Sequence, residues 1–124
     1  MVRMEGILMP HVKLSDVRKQ LIADAVPLAG FAGSNDAAIE LAQAVFPHKP
    51  WCLVRDWVIF GAASERVYAD TIVLDEQHRW EAGEWVRSSS LRSFTQDCLF
   101  ETENTVYVLL GDGHRAWMGQ LHAP

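Results

Sequence analysis

The segment RVYADTIVLDEQHRWEAGEWVRSSSLRSFTQDCLFETENTVYVLLG, residues 66–111, decides the fold, because most of the strand-forming residues and turn signals lie in it. β-Branched residues in VYADTIVLD (67–75) predict a strand, and CLFETENTVYVLL (98–110) predicts a hairpin that reverses around Glu103 and Asn104. Between them, EQHRWEAGE (76–84) reads as a polar loop with a turn at Gly83. The segment therefore predicts a half-chain of short strands.

The flanking residues extend this β-rich part in both directions. WCLVRDWVIF (51–60) is an almost continuous apolar run, which predicts a strand covered on both faces. After residue 110, Asp112 and Gly113 predict a second hairpin, which would return HRAWM (114–118) as a final strand.

Two amphipathic segments precede the strands. LSDVRKQLIADAV (14–26) predicts a helix capped by Ser15 or Asp16, and SNDAAIELAQAVF (34–46) predicts a second helix capped by Ser34. PLAGFAG (27–33) supplies the glycines of a bend between them.

These elements predict one α+β domain over residues 1–124, with a helical part at 14–46 and a β-rich part at 51–119. In this prediction two N-terminal helices pack on a curled, mainly antiparallel sheet or small open barrel of about five or six strands. The sequence does not decide between a barrel and an open sheet.

The charge balance indicates the kind of partner. Eleven Lys and Arg residues stand against sixteen Asp and Glu residues, giving a formal net charge of −5. A phosphate backbone is repelled by such a chain on average, so direct nucleic-acid binding is not expected. We expect instead a protein partner with a basic face. The chain has neither a secretory signal nor an apolar stretch long enough for a membrane span, which predicts a cytoplasmic protein with no membrane partner.

The sequence assigns no catalytic residue, cofactor or metal ligand. The five histidines lack zinc-binding spacings, and neither a Gly-x-Ser-x-Gly elbow nor a phosphate-binding loop is present. Cys52 and Cys98 lie in or beside apolar runs, which predicts reduced core thiols.

Two sets of polar residues are candidates for a site. Arg55 and Asp56 occupy consecutive positions of a predicted buried strand. Either Arg55 pairs with Asp70 on a neighbouring strand, or one of Arg55 and Asp56 lines a cleft. The second set is a candidate interaction surface in the polar loop, where Trp80 serves either as a core residue or as an interface anchor. Its members are Glu76, His78, Arg79, Trp80, Glu81 and Glu84.

Three short segments carry a family resemblance. The sequences VYADT (67–71), GEWVRSS (83–89) and TENTVYVLLG (102–111) are similar to the V-Y-A-D-T, G-x-W-V-R-[ST]-S and T-x-N-T-x-Y-x-L-x-G pattern of a family of small uncharacterised proteins of bacteria and their phages or prophages. The resemblance covers the C-terminal half and transfers no catalytic or binding residue. It implies a mobile-element setting, in which small acidic domains often bind and block a host or defence component.

The sequence thus predicts a non-enzymatic, acidic binding protein, with inhibition of a host or defence component as its expected role. One alternative is a small enzyme or ligand-binding domain with a cleft near Arg55, Asp56 and Asp70. Another is a structural or assembly protein that self-associates through an edge strand, as in a homodimer.

Overall fold

A computed structural model describes residues 25–61 and 63–116, which contain one α-helix and an eight-stranded sheet. In chain order the elements are β1 (Val26–Ala29), α1 (Asn35–Val45), β2 (Trp51–Phe60), β3 (Arg66–Asp75), β4 (Val86–Arg87), β5 (Ser93–Thr95), β6 (Leu99–Glu101), β7 (Val106–Leu109) and β8 (Asp112–Arg115).

The sheet is built on both edges of β2. One edge of β2 pairs antiparallel with β3. Along the other edge, its first half pairs parallel with β7 and its second half pairs parallel with β8. Strands β6 and β5 continue the sheet beyond β7, β1 lies beyond β8, and β4 lies beyond β3. Strands β7 and β8 are therefore two parts of one path that follows β2.

Both sides of this parallel pairing bend near the middle. Asp56 in β2 has a φ of 54°, and Gly111 between β7 and β8 has a φ of 68°. Left-handed backbone is uncommon for residues other than glycine and interrupts regular strand geometry. The bends curl the sheet into a half-barrel, whose inner face holds an apolar cluster around the fully buried Trp57.

The helix covers the outer face of the first half of the sheet. The Ser34 hydroxyl caps α1 by accepting a hydrogen bond from the amide of Ala37 at 3.1 Å. The side chains of Ala38 and Ala42 are buried against an apolar cluster that includes Leu53 and Val108. Small residues on this face of the helix allow it to lie close to the strands.

The structure confirms an α+β fold in which a helix packs on a curled sheet, and it corrects three details. The sheet is mixed, since β2 pairs in parallel with β7 and β8. The described residues contain one helix instead of two, and the predicted helix at 14–26 lies outside them except for its last two residues. Val26, predicted to end that helix, instead begins β1, which pairs antiparallel with β8. The rest of β1 lies in the segment 27–33, for which the sequence predicts a bend.

A further correction concerns the predicted hairpin at Asp112 and Gly113. These residues begin β8, which runs in the same direction as β7 beside β2, so the chain does not reverse here. A Cβ atom at Gly113 would overlap the indole ring of Trp57, so the glycine is required by a close side-chain approach. The hairpin predicted around Glu103 and Asn104 is confirmed by the antiparallel pairing of β6 and β7.

Candidate binding surface at one end of the sheet

Three connections meet at one end of the half-barrel. They are the α1–β2 connector (46–50), the β3–β4 loop (76–85) and the β6–β7 turn (102–105). They meet because β2 and β7 begin at this end, whereas β3 and β6 finish there. Five of the six residues of the predicted interaction surface follow β3 within the first six loop positions, so strand direction brings them beside the other two connections.

An ion pair at the end of β3 fixes the course of the β3–β4 loop. The side chain of Asp75 is fully buried, and Arg79 donates to it from Nη2 to Oδ1 at 2.7 Å and from Nε to Oδ2 at 3.0 Å. The backbone amide of Arg79 also donates to Oδ2 at 2.7 Å. A fourth hydrogen bond, from Nη1 of Arg79 to the hydroxyl of Thr105 at 2.8 Å, ties the loop to the β6–β7 turn. The guanidinium thus joins two of the three connections.

The ion pair keeps the buried carboxylate charged. Burial alone would raise the pKa of Asp75, but hydrogen bonds from the side chain and backbone of Arg79 outweigh it, so the pKa is lowered. The same contact raises the pKa of Arg79. A paired charge of this kind is costly to separate, because either partner left alone would be partly desolvated without compensation.

Trp80 lies half-buried between the core and the surface. Its ring stacks on that of Tyr107 with 6.5 Å between ring centroids and an interplanar angle of 25°. The guanidinium carbon of Arg79 lies 4.4 Å from the centroid of the Trp80 ring. Trp80 packs on the inner apolar cluster and therefore closes the loop over the core while leaving part of its surface accessible.

The remaining residues of the candidate surface are arranged around this anchor. Glu76, His78 and Glu81 are exposed, whereas Glu84 is half-buried. Oε1 of Glu84 accepts the amide of Glu81 at 3.0 Å, and Oε1 of Glu76 accepts the amide of Trp51 at 3.1 Å. Two carboxylates of the loop are therefore held by backbone groups.

The structure contains a groove beside Glu76 that the sequence did not predict. It has a volume of about 400 Å³ and is lined by Pro47, His48, Lys49, Pro50, Glu76 and Gln77. The prolines at 47 and 50 were the only available signal, and they indicated a stiff connector without showing that the β3–β4 loop would lie against it.

Lys49, in the wall of that groove, is already engaged. Its Nζ donates to Oε2 of Glu101 at 2.5 Å and to the carbonyl of Thr102 at 2.8 Å. This contact with Lys49 is the main reason that the pKa of Glu101 is lowered. Lys49 thus connects the α1–β2 connector to the β6–β7 turn.

The thiol nearest this end of the sheet is unsuited to nucleophilic attack. Cys52 is fully buried, and burial together with the nearby charge of Asp75 raises its pKa strongly. Within residues 25–61 and 63–116, no group of three or more His, Cys, Asp or Glu side chains is placed to hold a metal ion.

The second candidate set lies elsewhere, at the bend of β2. Arg55 and Asp56 are both exposed, so Arg55 is not half of the buried pair that the apolar run suggested. The register places Arg55 opposite Thr71, while Asp70 is half-buried on β3. The left-handed residue Asp56 breaks the alternation of the strand, a feature that residue types alone do not reveal.

The helix in the described residues lacks the length and apolarity needed to span a bilayer.

The fold and the meeting of loops define a small α+β domain with a candidate surface of polar loops. A family model described as "Domain of unknown function (DUF6957)" matches residues 29–120, and the chain belongs to that family. The match extends further toward the N-terminus than the resemblance in the C-terminal half, and it confirms membership of an uncharacterised family. No curated protein and no solved structure matches the chain.

Proposed function

We propose that this domain is a non-enzymatic binding protein whose partner presents a basic face to the β3–β4 loop. The observation that carries the proposal is the anchoring of that loop by Arg79 on the buried carboxylate of Asp75. A loop held in one conformation before binding loses less conformational entropy when a partner docks. An anchored loop is therefore a favourable place for an interface.

The charges that the loop presents support a basic partner. The cationic side chain of Arg79 is neutralised by Asp75, whereas Glu76 and Glu81 remain exposed. The formal net charge of −5 acts in the same direction at longer range by steering a positively charged surface toward the domain.

The resemblance to bacterial and phage or prophage proteins supports a more specific role. In this proposal the domain is a cytoplasmic mobile-element accessory protein that binds and inhibits a host or defence component. The contribution of the resemblance is associational, since it identifies a setting and no contacting residue.

Affinity capture of the full chain from host cytosol tests the proposal. We expect the wild-type protein and a Glu40→Lys control to retain the same protein at low salt, because Glu40 is exposed on α1 and is not one of the candidate surface residues. Glu81→Lys should reduce that capture, since it reverses a charge on the proposed interface. Failure to retain a protein at low salt, or equal capture by both variants, would overturn the proposal.

A ligand-binding function at the bend of β2 is the second candidate. It is favoured by the left-handed backbone of Asp56 beside the exposed Arg55, because strained residues cluster at functional sites. A small-molecule screen by thermal shift tests it, with Arg55→Gln as the variant that should abolish any stabilisation. Hits whose stabilisation is unchanged in that variant would exclude this location.

A further inference from the structure

We propose that the groove between the α1–β2 connector and the β3–β4 loop receives a lysine or arginine side chain of the protein partner. The inference rests on the proposed function and specifies the chemistry of one contact within it. Its central group is the carboxylate of Glu76, which lines the groove together with Gln77 on one side and the connector on the other.

Glu76 is positioned before a partner arrives. Its Oε1 accepts the amide of Trp51 at 3.1 Å, and its own amide donates to the carbonyl of Trp51 at 3.0 Å. These reciprocal contacts fix both the backbone and the carboxylate, while the side chain stays exposed to solvent. A fixed, charged acceptor forms shorter and stronger hydrogen bonds with a cationic donor than a neutral one does.

The cations near Glu76 are committed to other groups. Lys49 is paired with Glu101 and with the carbonyl of Thr102. Arg79 is paired with Asp75 and with the hydroxyl of Thr105. Neither pairing leaves its cation to neutralise Glu76, so an incoming cation meets a local excess of negative charge.

The two prolines that line the groove contribute nothing that would bind an anion. Pro47 and Pro50 have no backbone N–H, so they add no hydrogen-bond donor for an anion.

The groove is large enough to take a side chain. The volume of about 400 Å³ lies within the range of roughly 300–1,000 Å³ found for ligand sites.

A direct binding measurement tests the inference. The probes are two synthetic peptides, acetyl-Gly-Arg-Gly-Arg-Gly-amide and the same peptide with glutamate in place of arginine, titrated into the full chain by NMR at low salt. Glu76→Gln removes the charge but retains an oxygen that can accept the amide of Trp51. Glu40→Gln is the matched control, because it removes one negative charge from an exposed position of α1.

We expect the arginine peptide to bind the wild-type protein and the Glu40→Gln variant with equal affinity. Its affinity for Glu76→Gln should be lower by about tenfold, as for the loss of one hydrogen bond to a charged group. Equal binding of the two peptides, no binding of the arginine peptide, or equal affinities for the two variants would overturn the inference.

The capture experiment separates this inference from the proposed function. Capture of a protein partner that is reduced by Glu81→Lys and unchanged by Glu76→Gln would overturn the groove contact and support the wider proposal. Binding of the arginine peptide that depends on Glu76, without capture of any protein, would support the cation site and overturn the proposed function.

Discussion

Arg79 and Asp75 form a two-point ion pair, in which Nη2 lies 2.7 Å from Oδ1 and Nε lies 3.0 Å from Oδ2. The pair joins the end of β3 to the loop that follows it, and Arg79 also reaches Thr105 in the β6–β7 turn. Only a forked guanidinium satisfies these acceptors together, since lysine presents a single ammonium group. The anchor of the candidate surface therefore depends on arginine in particular.

Arg79→Lys should lower the free energy of unfolding by roughly 2 kcal/mol, because the ammonium cannot replace all the hydrogen bonds to the buried carboxylate and Thr105. Urea denaturation followed by tryptophan fluorescence measures the change. Arg87→Lys is the control, because Arg87 is exposed on β4 and should tolerate the exchange. Equal midpoints for the two variants would contradict the anchoring role.

Stability should fall in acid as the lowered-pKa carboxylates become protonated. The pKa of Asp75 in the folded protein lies below its value in the unfolded chain, about 3.9, so its ion pair contributes fully at higher pH. That contribution is lost as pH falls through the lower, folded-state value. Glu101, whose pKa is lowered mainly by Lys49, acts in the same direction.

Urea midpoints between pH 6 and pH 2 test this dependence. We expect a monotonic loss of stability below about pH 4 in the wild-type protein and a shallower loss in Glu101→Gln, which has one fewer proton to bind. Identical slopes for wild type and variant would exclude Glu101 as a contributor.

Gly113→Ala should destabilise the domain more than Gly83→Ala does. A methyl group at position 113 would overlap the indole of the fully buried Trp57, and overpacking of this kind costs about 1–3 kcal/mol or more. Gly83 has a φ of 93° and open space around a built Cβ, so alanine there incurs backbone strain alone. Thermal unfolding of the two variants gives the comparison, and an equal effect would refute the steric reason.

The two thiols should react only when the protein unfolds. Cys52 and Cys98 are buried and unpaired with each other, and burial raises the pKa of Cys98 to about 11. A thiol-disulfide reagent added at pH 8 should therefore modify neither in the native state and both in denaturant. Rapid modification of one thiol without denaturant would show that this thiol is accessible.

The sequence predicted local features of the fold better than long-range pairing. The strand predicted at 51–60 is confirmed as β2, and the reversal predicted around Glu103 and Asn104 is confirmed as the β6–β7 turn. Both features depend on residues that are neighbours in the sequence. The hairpin predicted at Asp112 and Gly113 was wrong. A glycine permits a tight turn, but it also permits a close side-chain approach, and here it makes room for the ring of Trp57.

The candidate site was only partly predictable for the same reason. The six surface residues are consecutive or nearly so, and their polar character identified the loop. The contacts that hold it, from Arg79 to Thr105 and from Lys49 to Glu101, join residues far apart in sequence. Such contacts depend on which strands pair in the sheet, and residue types alone do not determine that pairing.

The parallel pairing of β2 with β7 and β8 has a consequence for synthesis. During translation β3 follows β2 closely, but the strands that complete the other edge of β2 begin at Val106. Until they leave the ribosome, β2 has an open edge, and Nε1 of Trp57 lacks the carbonyl of Leu110, which it reaches at 3.2 Å in the folded domain. The nascent chain is therefore exposed to aggregation until nearly the whole domain has been made, and its yield in cells should depend on chaperones that shield open strand edges.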